Sequence, residues 1–224
     1  MLPIDIFYHS YCVNDFASIL MNKLKKLRMS GLLDACDNFY IITSKAQERH
    51  LEFFEELQDI NRKIKLIHLS HTPIGNECDT FNWMREKFEE FEQERAIFYF
   101  HSKGVSYTNP VLKNNVGNWV KYMDLYYIHH WKSHMRALEN YDTSGAFMIS
   151  DPAHYSGNFW WTKTSHLKKL PLLDQNNVPL LNRGEFWLGS LEHTKMFNLP
   201  GCVEINFYEN NYLNIHDFPS REWI

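Results

Sequence analysis

The chain has little cysteine and no long apolar run, and each shortage excludes a class of protein. Cys12, Cys36, Cys78 and Cys202 are scattered without a C-x-x-C pair. Neither a zinc ribbon nor a small disulfide framework is suggested, and reduced thiols are the simplest reading. No stretch approaches the roughly 18 uncharged apolar residues of a membrane-spanning helix. Met1-Leu2-Pro3-Ile4-Asp5 lacks the basic and apolar regions of a signal peptide, so a cytoplasmic protein is expected. Basic charge is not in excess either: 23 Lys and Arg face 27 Asp and Glu, a formal charge of -4. That argues against a nucleic-acid partner, whose phosphates call for concentrated Lys and Arg, while leaving room for a local basic pocket. A P-loop, a G-x-G-x-x-G fingerprint and a G-x-S-x-G elbow are all missing, which weighs against kinase, dehydrogenase and esterase readings.

What is present is a foldable chain. Of its 224 residues, 44% are hydrophobic and 16% aromatic, too apolar for disorder. The length suits one domain with a substantial core, and no repeat, low-complexity tract or interdomain linker interrupts it. Ile4 to Tyr8 reads as a buried strand, and Asp15 to Met29 as a helix that Gly31 can end. A strand from Phe39 to Thr43, an amphipathic segment from Lys45 to Asn61 and a strand from Ile64 to Leu69 follow. Thr80 to Glu94 carries Phe81, Met84, Phe88 and Phe91 at helical spacing, ahead of the buried run Ala96 to Phe100. Beyond a loop from Ser106 to Gly117, a long aromatic helix is expected over Asn118 to Asn140. A strand is expected at Gly145 to Ile149 and an extended run at Asn158 to Thr162. A helix should run from Lys163 to Leu173 until Pro171 stops it, with a loop over Asp174 to Gly184. Strands alternating with helices predict an α/β fold, with a mainly parallel central sheet flanked by helices and ligands beyond the strands' carboxyl ends.

At one such end the sequence turns abruptly from Ile97-Phe98-Tyr99-Phe100 to His101-Ser102-Lys103-Gly104. Lys103 can neutralise phosphate, Ser102 can donate a hydrogen bond, and Gly104 lets backbone amides approach an anion. His101 suits phosphate, a sugar or a metal ion. An ordinary strand-to-loop turn with a solvated lysine fits the same four residues. A second cluster is His154-Tyr155-Ser156-Gly157-Asn158-Phe159-Trp160-Trp161. Tryptophan can stack on a pyranose and Asn158 can meet its hydroxyls, while core packing competes for Trp160 and Trp161. In Arg183-Gly184-Glu185-Phe186-Trp187 a carboxylate lies beside an aromatic anchor. Burial favours proton abstraction by such a group, which makes Glu185 the general-base candidate. An exposed carboxylate, or a structural partner of Arg183, is the competing role, and Glu192 and Asp151 are rivals. Glu77 and Asp79 suit either a nucleotide contact or the cap of the helix that follows. His216 and Asp217 are candidates to return to the site as a diphosphate contact or metal ligand. His129 and His130 lack the H-E-x-x-H spacing and read as packing and surface residues.

Taken together, Phe98 to Ser106, Asn118-Trp119-Val120-Lys121-Tyr122-Met123, His154 to Trp161 and Glu185-Phe186-Trp187 resemble a group of GT-A-like glycosyltransferases. That group includes glycan-building domains of large algal viruses. It is distantly similar to bacterial rhamnan-synthesis proteins that share an H-S/T-K element and a later G-x-x-F-W element. The resemblance spans most of the chain and implies a single GT-A-like domain, with a nucleotide-binding half over residues 1–104 and an acceptor half over 105–224. It places Tyr8, His9, Ser10 and Tyr11 near the base, with His101, Ser102, Lys103 and Gly104 facing the sugar diphosphate. His154, Gly157, Asn158, Trp160 and Trp161 would shape the sugar or acceptor site. The implied reaction moves a sugar, with rhamnose suggested, from a nucleoside diphosphate sugar to a glycan hydroxyl by inversion, with Glu185 as base. GT-A enzymes typically carry Asp-x-Asp where this chain has His101-Ser102-Lys103, so dependence on manganese or magnesium stays open. The resemblance also implies membership of a larger multidomain glycosylation protein, in host cytoplasm if viral. A carbohydrate-binding or scaffolding module without catalysis is the alternative, and a nucleotidyltransferase a third.

Overall fold

The computed structural model describes residues 1–68, 77–89, 92–173 and 184–199. Its centre is β1 (Ile4–Tyr11), buried along nearly its whole length because helices cover both faces of the sheet. The chain leaves β1 through α1 (Phe16–Met29), where Phe16, Leu20, Lys23 and Leu27 face inward at helical spacing. Gly31, at φ 75°, turns it into the short α2 (Leu32–Ala35). β2 (Asn38–Ser44), α3 (Glu48–Ile60), β3 (Ile64–His68), α4 (Cys78–Glu89) and β4 (Ala96–His101) complete the alternating first half. Each expected element is present here, with β1 and β4 running further toward their carboxyl ends than apolar content alone marked.

The second half departs more from its periodicity. α5 (Pro110–Asp124) starts inside the expected loop, because Asn109 caps Val111 and Leu112 and Pro110 occupies the first turn. The expected long helix is interrupted by a π-helical turn over Leu125–His129 before α6 (Trp131–Ala137). Around that wider turn, the Tyr127 carbonyl accepts the Trp161 indole N–H at 3.2 Å, and the Tyr126 carbonyl accepts from His134 at 3.0 Å. The expected strand at Gly145 to Ile149 is two strands, β5 (Thr143–Gly145) and β6 (Met148–Ser150), because Phe147 turns the chain at φ 56°. β7 (Ala153–Tyr155) pairs with β6 in a separate hairpin. β8 (Trp160–Lys163), α7 (Thr164–Leu167) and β9 (Met196–Asn198) follow. α7 ends before Pro171 is reached, so the proline is not its stop.

The main sheet has the order β3-β2-β1-β4-β8-β5-β9. Its first four strands are parallel, and β8 enters antiparallel between β4 and β5. The second half therefore completes the sheet of the first. On one face α1, α3, α5 and the π-helical turn bury Tyr8, Phe39, Phe98, Phe100 and Trp161. On the other, α4, α7 and the turn at residues 184–189 bury Phe7, Tyr99 and Trp160. Lys23 and Lys26 of α1 both bind the buried Asp124, tying α1 to the end of α5. Among the described residues, no helix is long and apolar enough to cross a membrane.

Candidate functional site

The strand order reverses at β1: chain connections lead outward to β2 and β3 on one side and back to β4 on the other. In open α/β sheets a ligand crevice forms beyond the carboxyl ends of strands at such a point. Here the two ends are in register, His9 opposite His101. They are also stitched together: Ser102 N–H donates to the His9 carbonyl at 3.0 Å, and Tyr11 N–H donates to Ser102 Oγ at 2.9 Å. The Ser102 hydroxyl, an expected ligand donor, thus also serves as a backbone acceptor and lies buried beside the Tyr8 phenol.

Of the four residues expected near a base, three form the floor. Tyr8 is fully buried against Phe39 and Phe100, and burial pushes its phenol well above the usual range. His9 is buried between Thr80 Oγ1 at 2.8 Å and Ser44 Oγ at 3.1 Å, linking β1 to α4 and β2. Ser10 is fully buried beside the Cys12 thiol. Tyr11 alone of the four keeps a partly exposed ring, with the Lys45 ammonium 5.2 Å from its centroid.

The polar centre lies past β4. His101 Nδ1 is 3.0 Å from Glu77 Oε1, and its Nε2 is 3.0 Å from the Gly157 carbonyl. Both ring nitrogens are engaged, so neither is left for a direct hydrogen bond to an anion. Glu77 Oε2 accepts from Asn158 Nδ2, and Asn158 Oδ1 accepts the Trp160 indole N–H at 3.0 Å. Burial pushes the Glu77 carboxyl up, but the charge and hydrogen bond of His101, with His9 and Lys103 behind, hold it at about 2. Gly157 N–H donates to Glu185 Oε1 at 3.0 Å, and among the described residues no hydrogen bond engages Glu185 Oε2. The turn carrying Glu185 packs tightly here: a Cβ on Gly184 would lie 3.2 Å from Glu77 Oε2.

The Lys103 ammonium lies 3.9 Å from the centroid of the Trp119 indole, on α5. Burial lowers its pKa, opposed by the nearby carboxylates of Glu185 and Glu77. Gly104 turns the chain at φ 87°, where a Cβ would meet Val116 Cγ1 at 3.0 Å. The structure therefore brings together His101, Lys103, Gly157, Asn158 and Glu185 from separate stretches of sequence.

Other expected ligands sit elsewhere. Trp160 and Trp161 are almost wholly buried, stacked on Tyr99 and Phe98 on opposite faces of the sheet. Their rings are used in the core and leave no open face for a sugar. His154 is buried with its ring edge against Phe186 and its Nδ1 on the Pro152 carbonyl at 2.6 Å. Asp79 lies in the first turn of α4, half-buried. His216, Asp217 and Arg183 lie outside the described residues. Glu77, weighed in sequence as a nucleotide contact or helix cap, instead reaches across to β4 and the Gly157 loop. Trp119 drew notice only as part of a longer motif; its neighbour Lys103 is distant in sequence, and no local pattern pairs them.

A metal ion in the manner of GT-A enzymes does not fit the described residues. No three His, Cys, Asp or Glu side chains among them are grouped to hold one, and both Glu77 oxygens are already engaged by His101 and Asn158.

No family model and no curated protein matches the chain. Solved structures do. The mannosyltransferase PcManGT from Pyrobaculum calidifontis, in complex with GDP-Man and Mn2+, has a TM-score of 0.54 over 90% of this chain at 9% identity. This chain spans 56% of that protein's length. HddC from Yersinia pseudotuberculosis gives 0.46 at 10% identity, covering 88% of this chain and 90% of that one. At such identities the likeness to the mannosyltransferase is one of fold: a helix-flanked, mainly parallel seven-stranded sheet of Rossmann-like GT-A type.

Proposed function

We propose that the protein is a glycosyltransferase that moves a sugar from a nucleoside diphosphate sugar to a hydroxyl of a glycan acceptor. The observation carrying this reading is the convergence of Lys103, His101 and Glu185 around Gly157, at the crevice where the strand order reverses. Lys103 faces the diphosphate, and His101 adds charge from behind. Tyr11 offers the base a ring. The acceptor oxygen attacks the anomeric carbon as the bond from that carbon to the diphosphate oxygen breaks, leaving the electron pair on the diphosphate. Glu185 Oε2 takes the hydroxyl proton, and attack opposite the leaving group inverts the centre. Lys103 counters the charge that grows on the leaving oxygen. Rhamnose is the donor sugar suggested by the resemblance to rhamnan-synthesis proteins.

The test is incubation with a panel of nucleotide sugars, followed by donor hydrolysis and transfer to oligosaccharides. Lys103→Ala and Glu185→Gln should each lower turnover by about 100-fold or more. Unchanged turnover in both variants would remove their roles. Glycan binding with no affinity for nucleoside diphosphates in calorimetry would point instead to a module without catalysis.

A further inference from the structure

Three buried or half-buried histidines show how hydrogen-bond partners set the protons on a ring. A neutral imidazole has one N–H and one acceptor nitrogen, and only the doubly protonated ring donates twice. His134 fits the neutral form: Nε2 donates to the Tyr126 carbonyl, and Nδ1 can accept from the Ser144 hydroxyl at 2.8 Å. Burial lowers its pKa to about 3, in keeping with that arrangement. His9 faces two hydroxyls, which suit either tautomer. His101 alone of the three faces two oxygens that carry no proton, the Glu77 carboxylate and the Gly157 carbonyl.

We infer that Glu77 is the positioning residue of this site, holding His101 as a donor from both nitrogens and thereby fixing Gly157, the residue whose N–H anchors Glu185. The chain of contacts is continuous. Glu77 Oε1 meets His101 Nδ1, His101 Nε2 donates to the Gly157 carbonyl, and Gly157 N–H donates to Glu185 Oε1. The other Glu77 oxygen holds Asn158, so one carboxylate fixes two successive residues of that loop. Glu77 remains ionised through ordinary pH, since its carboxyl is held at about 2. Among the described residues, the rings of Tyr99 and Phe159 lie beside His101, and the charge of Lys103 acts on the Glu77 and Glu185 carboxylates. A neutral His101 would leave either Glu77 or the Gly157 carbonyl facing a bare nitrogen lone pair, and the loop would lose one of its two ties.

The role of Glu185 rests on the transferase reading; the state of His101 does not. The experiment therefore reads both, using nitrogen-15 NMR of the histidine rings at neutral pH and donor kinetics on the same preparations. The wild-type His101 ring should carry protons on both nitrogens. In Glu77→Gln it should become a neutral single tautomer, with kcat down on the order of 100-fold and the donor KM little changed. Glu77→Asp, which keeps the charge, should restore the doubly protonated ring in part. A wild-type ring with one proton overturns the inference whether or not any variant folds. So does a Glu77→Gln protein with the wild-type ring signature and kcat. If the ring behaves as expected but no nucleotide sugar is bound or turned over, the transferase reading fails while the Glu77 and His101 arrangement stands.

Discussion

Gly157 carries two of the site's ties, one through its N–H and one through its carbonyl, and its conformation is open only to glycine at low cost. At φ 89° a side chain is strained, and a Cβ there would lie 2.7 Å from Met123 Cε and 2.8 Å from the Trp119 ring. Gly157→Ala should lose about 1–3 kcal/mol of stability. It should also disturb Lys103 and Glu185 together, since Trp119 sits under the one and Gly157 N–H holds the other. Denaturant unfolding measures the first effect and turnover the second; a variant matching wild type in both would show that the loop relaxes freely. In sequence this glycine was legible only as part of a polar and aromatic cluster. The need for φ above zero arises from where α5 places Met123 and Trp119.

At the scale of elements, α5 is the wall that carries Trp119 and Val116 toward Lys103 and Gly104. Its start depends on the exposed Asn109, whose side chain accepts from Val111 N–H at 2.9 Å and Leu112 N–H at 3.2 Å. Asn109→Ala should cost about 1 kcal/mol. The loss should appear as a shifted unfolding midpoint with an unchanged denaturant slope, and no shift at all would mean the first turn is held by packing instead. The Asn109-Pro110 start signal was present in the sequence, yet the polar stretch Lys113 to Gly117 resembles a loop more than a helix. The π-helical turn that follows had no local signal, because it exists to match carbonyls to Trp161 and His134, residues brought near only by folding. The first half of the sheet was legible for the opposite reason: strands covered on both faces are nearly continuous apolar runs, as Ile6 to Tyr8, Phe39 to Ile42 and Ala96 to Phe100 are, with the buried Asp5 of β1 paired to Arg95.

At the scale of the whole molecule, the buried His134 and Glu77 couple stability to pH in the same direction, and burial lowers the pKa of His166 and His130 likewise. The His134 pKa falls to about 3 because burial penalises its charged form, from an ordinary value of 6.5. Its contribution is present above pH 6.5 and is lost as pH falls toward 3, since the unfolded chain takes up the proton first. Glu77, held at about 2 against an ordinary 4.5, contributes above pH 4.5 and loses that contribution as pH falls toward 2. Stability should therefore decline below pH 6.5, His134 alone contributing roughly 1.4 kcal/mol per pH unit, and more steeply below 4.5. Urea midpoints measured from pH 7 to pH 4 check this. A His134→Gln variant should flatten the upper part of the decline; an equal slope in both proteins would assign it to other groups.

The amino-acid sequence by itself determined the alternation of strands and helices, the mainly parallel sheet and the carboxyl end of β4 as the place for polar chemistry. Hydrophobic periodicity and an abrupt change of polarity are properties of neighbouring residues, so they can be read along the chain. Tertiary structure alone decided that Glu77, His101, Gly157 and Glu185 form one connected set, that Trp160 and Trp161 serve the core, and that His9 and Ser10 lie beneath the site. Those outcomes depend on contacts between residues far apart in sequence, and on which face of a shared sheet each one meets. A carboxylate before a helix looks like a cap until the fold supplies a histidine for it to hold.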